Sequence, residues 1–253
     1  SLHPAGHILG SSQVSIEHRG RRCVVSGDTK TAPDPTCTPL SPLRCDVYIS
    51  ESTFGLPIFR WPSTGSVLRE IHAWWRENQA AGRTSVLFAY ALGKAQRILA
   101  GLDPGVGPIL THGAVEKING CYREAGVRLP ETRHVGDVKE KALLRRALVV
   151  APPSADNPAW MRRFPDRSRG FASGWMRIRG HRRRRAVDRG FVLSDHSDWD
   201  GLWETITAAG AEHVGITHGY APEMVRCLRE KGRRAEIVPA RYEGDADAEG
   251  GDP

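Results

Sequence analysis

Four short apolar runs of this sequence each lead into a side chain that can bind a metal ion or transfer a proton. Short apolar runs bounded by glycine and polar residues are typical of buried β-strands. The runs and the residues that follow them are 24–25 with Asp28, 47–50 with Glu51, 191–193 with His196, and 213–216 with His218. Because the carboxyl ends of neighbouring parallel strands meet at one edge of a sheet, we expect these side chains to lie close together.

A fifth candidate, His7, lies in the Gly-rich turn at residues 5–10, about twenty residues before Asp28. Imidazole and carboxylate are ligands of zinc and of manganese, and glycine lets the backbone turn sharply enough to direct an imidazole inward. Structural roles are the alternative. A histidine in a turn can hydrogen-bond a carbonyl, Asp28 can form a turn, and His218 can end a strand. The occurrence of all five candidates together favours a metal site.

Composition sets outer limits on the chain. With 253 residues, 40% of them hydrophobic, it can bury one large core or two smaller ones. It contains no apolar run long enough to span a membrane and no visible signal peptide. Five scattered cysteines without Cys-x-x-Cys spacing favour a reduced, cytoplasmic setting. Because the chain opens with Ser1 inside a motif, we expect a fragment that lacks its upstream part.

Predicted strands and helices alternate along most of the chain. The predicted strands are 14–17, 22–26, 47–50, 85–90, 108–110, 148–151, 191–193, 213–216 and 235–238. The predicted helices are 63–81, 92–100, 114–125, 199–209 and 222–231. This alternation predicts an α/β fold with a mostly parallel sheet and helices on its faces. The acidic, Gly-rich tail 243–253 is predicted to be disordered.

A formal net charge of +7 suggests a polyanionic partner such as nucleic acid. GC-rich coding is the alternative cause, because arginine greatly outnumbers lysine. The distribution of charge favours a partner, since arginines crowd the segment that leads into His196 and an aromatic residue precedes them. Arginines on phosphates with an aromatic for base stacking are typical of single-strand binding, although a charge run can also be a solvated face. The predicted binding residues are Trp175, Arg177, Arg179, Arg182, Arg183, Arg184 and Arg185.

Gly93-Lys94 follows a predicted strand and opens a predicted helix. Backbone N–H groups at a helix N-terminus, with Lys94 and Arg97, could hold a backbone phosphate. Plain packing of a strand on a helix is the alternative. The spacing is not that of a nucleotide-binding P-loop, so no ATP site is predicted.

The motifs around the five candidates resemble the β-CASP branch of the metallo-β-lactamase superfamily, and they occur in the family's order. They are Ala5-Gly6-His7-Ile8-Leu9-Gly10, Ser26-Gly27-Asp28, Glu51-Ser52-Thr53-Phe54-Gly55, Ser194-Asp195-His196-Ser197-Asp198 and Thr217-His218-Gly219. Within that branch, the segments 89–97, 151–155 and 171–176 are similar to the bacterial ligase-associated DNA exonucleases.

The resemblance implies a metallo-β-lactamase αβ/βα sandwich built from residues 1–55 and 190–242. A β-CASP α/β domain, residues 56–189, would be inserted between them. The family's H-x-H-x-D-H motif is not found in this sequence. We therefore expect an N-terminally truncated sandwich, and loss of metal and activity is the alternative.

The resemblance also implies roles for the five residues. His7 would bind one metal ion, Asp28 would bridge two divalent ions (Zn or Mn), and His218 would complete the second. His196 would donate a proton to the leaving oxygen, with Glu51 orienting it. The expected function is hydrolysis of DNA phosphodiester bonds in end processing or repair, with a DNA ligase and a helicase encoded nearby as partners. An RNA-processing ribonuclease, favoured by His218, and an inactive nucleic-acid-binding module are the alternatives.

Overall fold

The computed structural model describes residues 1–239 and divides the chain into two compact units. The first unit consists of Ser1–Trp61 and the chain from Asp195 onward, and the second consists of Pro62–Ser194. The division falls a few residues beyond the expected boundaries at 55 and 189. The predicted disordered tail, 243–253, lies outside the described residues.

Twelve strands and eight α-helices are defined within residues 1–239. The strands are β1 (Leu2–Pro4), β2 (Ser12–His18), β3 (Arg21–Val25), β4 (Val47–Ser52), β5 (Thr84–Phe88), β6 (Ile109–Thr111), β7 (Arg133–His134), β8 (Leu148–Ala151), β9 (Arg167–Ala172), β10 (Arg189–Phe191), β11 (His213–Gly219) and β12 (Arg234–Ile237). The helices are α1 (Thr64–Ala80), α2 (Lys94–Ala100), α3 (Gly113–Glu124), α4 (Lys141–Arg146), α5 (Pro158–Met161), α6 (Arg179–Arg185), α7 (Trp199–Ala209) and α8 (Ala221–Glu230). Short 3₁₀ turns occur at Val135–Asp137, Pro153–Ala155 and Gly174–Arg177.

The first unit contains a six-stranded mixed sheet with the strand order β1-β2-β3-β4-β11-β12. The first three strands run antiparallel to one another, whereas β3, β4, β11 and β12 pair in parallel. The parallel pairing places the carboxyl ends of β3, β4 and β11 at one edge of the sheet. The loop after β3, the end of β4 and the end of β11 therefore lie together at that edge.

Helices α7 and α8 cover one face of this sheet. The shared core consists of Val24, Tyr48, Val214 and Ile216 from the strands and Leu202, Ile206, Met224 and Leu228 from the helices. Burial of these side chains, each worth roughly 1.5–3 kcal/mol when complete, fixes the helices against the sheet.

The opposite face of the same sheet carries apolar side chains that remain exposed. Leu2 pairs with Val14 across β1 and β2, and the side chains of Leu2, Val14 and Ile16 are 70%, 40% and 53% exposed. On β2 the polar residues Gln13 and Ser15 are the buried ones. No helix described within residues 1–239 packs a buried apolar cluster on this face.

The second unit contains a parallel six-stranded sheet with the order β10-β9-β5-β8-β6-β7. Apolar clusters cover both of its faces, as expected for a parallel sheet. Every residue of β5 is buried, and its second half is the apolar run Val86-Leu87-Phe88.

Helix α1 shows how the sequence specifies an element of this unit. Its apolar residues recur at helical spacing, and Val67, Ile71, Trp74 and Trp75 are buried. The hydroxyl of Ser63 caps the N-terminus by accepting a hydrogen bond from a backbone N–H of the first turn. The helix lies within the predicted range 63–81.

The α/β class predicted from the sequence is confirmed, with two mostly parallel sheets and helices beside them. Six short elements were not predicted from the sequence: β1, β7, β9, α4, α5 and α6. The five cysteines, all within residues 1–239, form no disulfide. Within residues 1–239, none of the helices combines the length and the apolar character that crossing a bilayer requires.

Candidate metal centre

His7 lies in a turn that is pinned to the loop after β3. Gly6, at φ +75°, pairs with Thr29, and a Cβ atom on Gly6 would come within 2.3 Å of the Lys30 carbonyl oxygen. Only glycine fits this close approach. The Nδ1 atom of His7 donates to the Asp195 carbonyl oxygen at 2.9 Å. This bond fixes the tautomer and leaves Nε2 as the atom that can bind a metal.

Asp28 lies between two imidazoles. Its Oδ2 atom is 3.9 Å from Nε2 of His7, and its Oδ1 atom is 3.4 Å from Nε2 of His218. Burial is the largest influence on the carboxyl and by itself raises its pKa. The hydrogen bond from His218 and the neighbouring imidazole charges outweigh it and lower the pKa to about 2. Asp28 is therefore a carboxylate at neutral pH.

Glu51, near the end of β4, is buried and holds His196. Its Oε2 atom lies 2.9 Å from Nδ1 of His196 and accepts a bond of 2.6 Å from the Thr53 hydroxyl, while Oε1 accepts the Thr29 N–H at 2.6 Å. Burial, the largest influence, raises the pKa of Glu51, but the charge and hydrogen bond of His196 hold the pKa below its usual value. A buried carboxylate with these partners keeps its charge.

His196 lies in the loop that leads into α7, and several contacts fix the loop. Asp198 caps α7 through a bond of 2.9 Å from the Gly201 N–H, and its second oxygen accepts the Trp61 N–H at 3.0 Å. The Trp61 indole donates to the His196 carbonyl at 3.0 Å. With Nδ1 facing Glu51, His196 has Nε2 as its remaining reactive atom.

His218 is positioned by a register shift where β11 ends against β4. Gly219, at φ +77°, pairs with Ser52, and a Cβ atom there would come within 2.4 Å of the Ser52 carbonyl oxygen. The hydrogen bond to Asp28 is the largest influence on His218 and raises its pKa. The Thr53 hydroxyl lies 3.1 Å from its Nε2 atom. Bulges of this kind commonly re-aim side chains at functional sites.

The five predicted residues thus form two overlapping groups of ligand atoms, and Asp28 belongs to both. The groups are His7, Asp28 and His196, and Asp28, Glu51 and His218, with the ligand atoms of each group within 4.8 Å of one another. Two imidazoles on opposite oxygens of one carboxylate suit borderline divalent ions such as zinc or manganese. The donor set therefore fits the metal site expected from the sequence.

The predicted phosphate-binding residues of α2 have protein partners. Lys94 and Arg97 are only 2% and 5% exposed. The ammonium group of Lys94 lies 4.6 Å from the centre of the Tyr90 ring. Arg97 donates to the Ser194 carbonyl and, at 2.6 Å, to the Thr64 hydroxyl. These contacts join α2 to neighbouring segments of the second unit.

The arginine-rich segment lies on the surface of the second unit. Trp175 is half-buried, with its ring 5.1 Å from that of His181. The guanidinium group of Arg185 lies 4.7 Å above the Phe171 ring. The exposed members of the predicted set are Arg177, Arg179, Arg182, Arg183 and Arg184.

The groups that support the five residues were not predicted from the sequence. Thr29 and Thr53 both bond Glu51. A buried ion pair joins Lys30 to Asp34 in the loop just after Asp28. Thr53 lies within a recognised motif, so a search for hydroxyl partners there could have found it. The Lys30–Asp34 pair lies in an irregular loop with no pattern that predicts it.

Together the fold and the site define an α/β protein with a histidine–carboxylate cluster at the carboxyl edge of a sheet. No protein-family model matches the chain. A protein of Opitutus terrae named "Probable DNA ligase" is 33% identical over 239 residues, covering 94% of this chain and 23% of that protein. An "RNase J-like protein" of Methanocaldococcus jannaschii is 32% identical over 97 residues, covering 38% of this chain and 23% of that protein.

This chain therefore matches about a quarter of the length of each of these curated relatives. A crystal structure of a protein of unknown function from Enterococcus faecalis is similar in fold, with a TM-score of 0.59 and 12% identity. The match covers 96% of this chain and 62% of that protein.

Proposed function

We propose that this protein is a metal-dependent nuclease that hydrolyses phosphodiester bonds of DNA. The observation that carries the proposal is the position of Asp28 between His7 and His218, beside the buried pair of Glu51 and His196. A carboxylate with an imidazole on each oxygen suits a bridge between two cations, and a carboxylate–imidazole pair suits proton transfer.

The two curated relatives support action on nucleic acid, since one is named as a ligase and the other as RNase J-like. DNA is favoured by the longer match and by the resemblance of segments 89–97, 151–155 and 171–176 to the ligase-associated exonucleases. On this proposal the protein acts in the cytoplasm in DNA end processing or repair. A DNA ligase and a helicase are its proposed partners.

The proposed architecture is that of the β-CASP branch. The first unit is the metallo-β-lactamase part and the second is the inserted β-CASP domain. The exposed sheet face that carries Val14 and Ile16 supports this assignment. In an αβ/βα sandwich a second sheet packs on the face that the helices leave uncovered.

His7, Asp28 and His218 are the proposed metal ligands. Divalent cations held there would supply Lewis-acid chemistry that neutralises charge developing on the phosphodiester. Asp28 contributes a full negative charge, because its low pKa keeps it ionised. Asp195 keeps Nε2 of His7 directed at the site through its carbonyl oxygen.

His196 is the proposed general acid. In the protonated imidazolium, Nδ1 is held by Glu51, and Nε2–H is the group that would protonate the departing oxygen of the cleaved strand. Glu51 stabilises the imidazolium and prevents ring rotation. General acid catalysis of this kind contributes roughly 10²–10⁴-fold to the rate.

The arginine-rich surface is the proposed site of DNA binding, with Trp175 available for base stacking. It consists of Arg177, Arg179, Arg182, Arg183, Arg184 and Arg185. Lys94 and Arg97 are left out because their side chains are buried against protein partners.

RNA is the second candidate substrate. It is favoured by the RNase J-like relative and by the histidine at position 218. Matched single-stranded DNA and RNA oligonucleotides of one sequence would separate the two candidates by their rates of cleavage.

The central test is Asp28→Asn, assayed for bound zinc and manganese and for cleavage of a labelled oligonucleotide. We expect the substitution to lower bound metal and abolish hydrolysis while DNA affinity is kept. Asp137→Asn is the matched control, because that carboxylate also lies beside a histidine, His134, at 3.7 Å, but in the second unit. Wild-type protein that binds metal to the same extent as Asp28→Asn and cleaves neither oligonucleotide would favour an inactive binding module.

A further inference from the structure

The second unit contains a cavity that the proposed catalytic chemistry does not use. It lies between α1 and β10 and has a volume of about 470 Å³, within the range of roughly 300–1,000 Å³ usual for small-molecule sites. We call it the α1–β10 cavity. Its apolar wall includes Val67, Val187 and Val192.

Charged groups of both signs line the same cavity. The cationic ones are Arg177, Arg182 and Arg189, and the anionic ones are Glu70 and Asp188. Three arginines against two carboxylates leave an excess of one positive charge.

Two of these groups are anchored by backbone contacts. The Nε atom of Arg182 donates to the Met176 carbonyl, which holds that side chain beside the cavity. The backbone of Asp188 bonds the Arg169 carbonyl, and its carboxylate accepts the Arg169 N–H at 2.7 Å. These two side chains are therefore held in place before a ligand arrives, which lowers the entropic cost of binding.

We propose that the α1–β10 cavity binds a single nucleotide. A nucleotide has three kinds of chemical group, one for each kind of side chain in the lining: arginine, carboxylate and valine. Its phosphate pairs with guanidinium groups, its base offers N–H donors to carboxylates, and the faces of the base pack against valines. Inorganic phosphate would use only the arginines, and a nucleoside would use only the carboxylates and the valines.

The inference deepens the proposed function, because a nucleotide in this cavity would be either a free nucleotide or the terminal nucleotide of a bound strand. Both sources share the same chemistry. None of the residues that line the cavity belongs to the histidine–carboxylate cluster, so its occupancy can be measured without metal and without hydrolysis.

The experiment is calorimetric titration of the full chain with dAMP, deoxyadenosine and inorganic phosphate, in chelator. We expect dAMP to bind more tightly than either of the others. Arg189→Gln should weaken dAMP binding about tenfold, the usual effect of losing one charged hydrogen bond. Glu70→Gln should change the relative affinities for dAMP and dTMP while leaving phosphate binding unaltered.

Arg162→Gln is the matched control, since Arg162 is exposed in the same unit and does not line the cavity. Equal weakening by Arg189→Gln and Arg162→Gln would mean a diffuse charge effect and overturn the proposal, as would dAMP binding no tighter than phosphate. Thermal unfolding of each variant verifies that it is folded. Displacement of dAMP by a short single-stranded oligonucleotide would identify the terminal nucleotide of a strand as the ligand, and failure to displace it would identify a free nucleotide.

The two proposals can fail separately. If Asp28→Asn leaves hydrolysis unchanged while Arg189→Gln weakens dAMP binding, the metal mechanism fails and the nucleotide site stands. If Asp28→Asn abolishes hydrolysis but Arg189→Gln leaves dAMP binding unchanged, only the nucleotide site fails.

Discussion

The Thr53 hydroxyl connects two members of the candidate site. It lies 2.6 Å from Oε2 of Glu51 and 3.1 Å from Nε2 of His218. An ionised carboxylate can only accept, so the hydroxyl donates to Glu51 and turns a lone pair toward His218. At the scale of residues, one side chain thus contacts the partner of the proposed acid and, while its Nε2 atom is protonated, a proposed metal ligand.

We expect Thr53→Val to lower the free energy of unfolding by about 1.5–3 kcal/mol. Valine has nearly the same shape as threonine, but the buried Glu51 carboxylate loses a hydrogen-bond donor. Cleavage should fall more than the stability loss explains, since Glu51 then holds His196 less firmly. Urea unfolding and single-turnover cleavage would measure the two effects. Thr53→Ser keeps the hydroxyl and should restore both, and a Ser variant as impaired as the Val variant would contradict this role.

The sequence predicted which residues meet at the site but not what supports them. Asp28, Glu51 and His218 follow apolar runs, and parallel pairing of β3, β4 and β11 brings the ends of those runs together. The burial of Lys94 and Arg97 was not predictable from α2 alone. It depends on how neighbouring segments pack over that helix, and a local pattern does not contain that information.

Strand β9 shows a similar limit at the scale of elements. Its sequence from Arg167 to Ala172 contains two arginines, a serine and a glycine, so its pattern does not predict a strand. The structure pairs it with β5 on one side and β10 on the other. Backbone hydrogen bonds to two neighbours outweigh a weak side-chain pattern.

Glu116 joins α3 to its neighbours. It accepts hydrogen bonds from Thr111 at the end of β6, from Thr132 just before β7, and from Arg123 on its own helix. Burial is the largest influence and raises its pKa, but these bonds together hold the pKa below the ordinary value of 4.5. A carboxyl whose pKa is lower when folded stabilises the protein above its unfolded pKa, and the contribution is lost as the pH falls.

We therefore expect Glu116→Gln to destabilise the protein at pH 7 by about 1 kcal/mol, a figure reduced for partial exposure. The difference from wild type should shrink as the pH falls below 4.5 toward the folded-state pKa. Urea unfolding at a series of pH values measures it. Glu124→Gln, an exposed glutamate at the end of the same helix, should show no such dependence. If the free energies of unfolding of wild type and Glu116→Gln differ by the same amount at every pH, the charge of Glu116 does not cause the difference.

Helix α6 offers a test of the proposed DNA-binding surface. Replacing Arg179, Arg183 and Arg184 by glutamine should weaken single-stranded DNA binding. In a plot of the logarithm of the binding constant against the logarithm of the salt concentration, the slope should also become shallower by about 2, because up to three phosphate contacts are lost. The control is a triple replacement of Arg69, Arg76 and Arg162, which are exposed in the same unit but lie outside the segment. Equal slopes for the two triple variants, measured by fluorescence anisotropy at several salt concentrations, would indicate attraction by net charge alone.

At the scale of the whole molecule, one face of the first unit's sheet has no buried apolar cluster packed on it by the helices described within residues 1–239. The alternation along β2 predicted a strand, but alternation cannot tell which face is buried. The structure buries Gln13, whose side-chain amide donates to the carbonyls of Pro4 and Ser41 at 3.0 and 2.8 Å, and exposes Val14 and Ile16. Contiguous exposed apolar side chains favour association.

We expect the 253-residue chain to self-associate through this face, and Val14→Lys with Ile16→Lys to shift it toward the monomer. The side chains are 40% and 53% exposed, so the substitutions should change stability by no more than about 1 kcal/mol in total. The matched control is Ile58→Lys with Leu92→Lys, whose side chains are 53% and 51% exposed elsewhere on the chain. Sedimentation velocity over a range of concentrations measures the association. A wild-type chain that stays monomeric throughout, or a control pair that disperses it equally, would show that this face does not drive association.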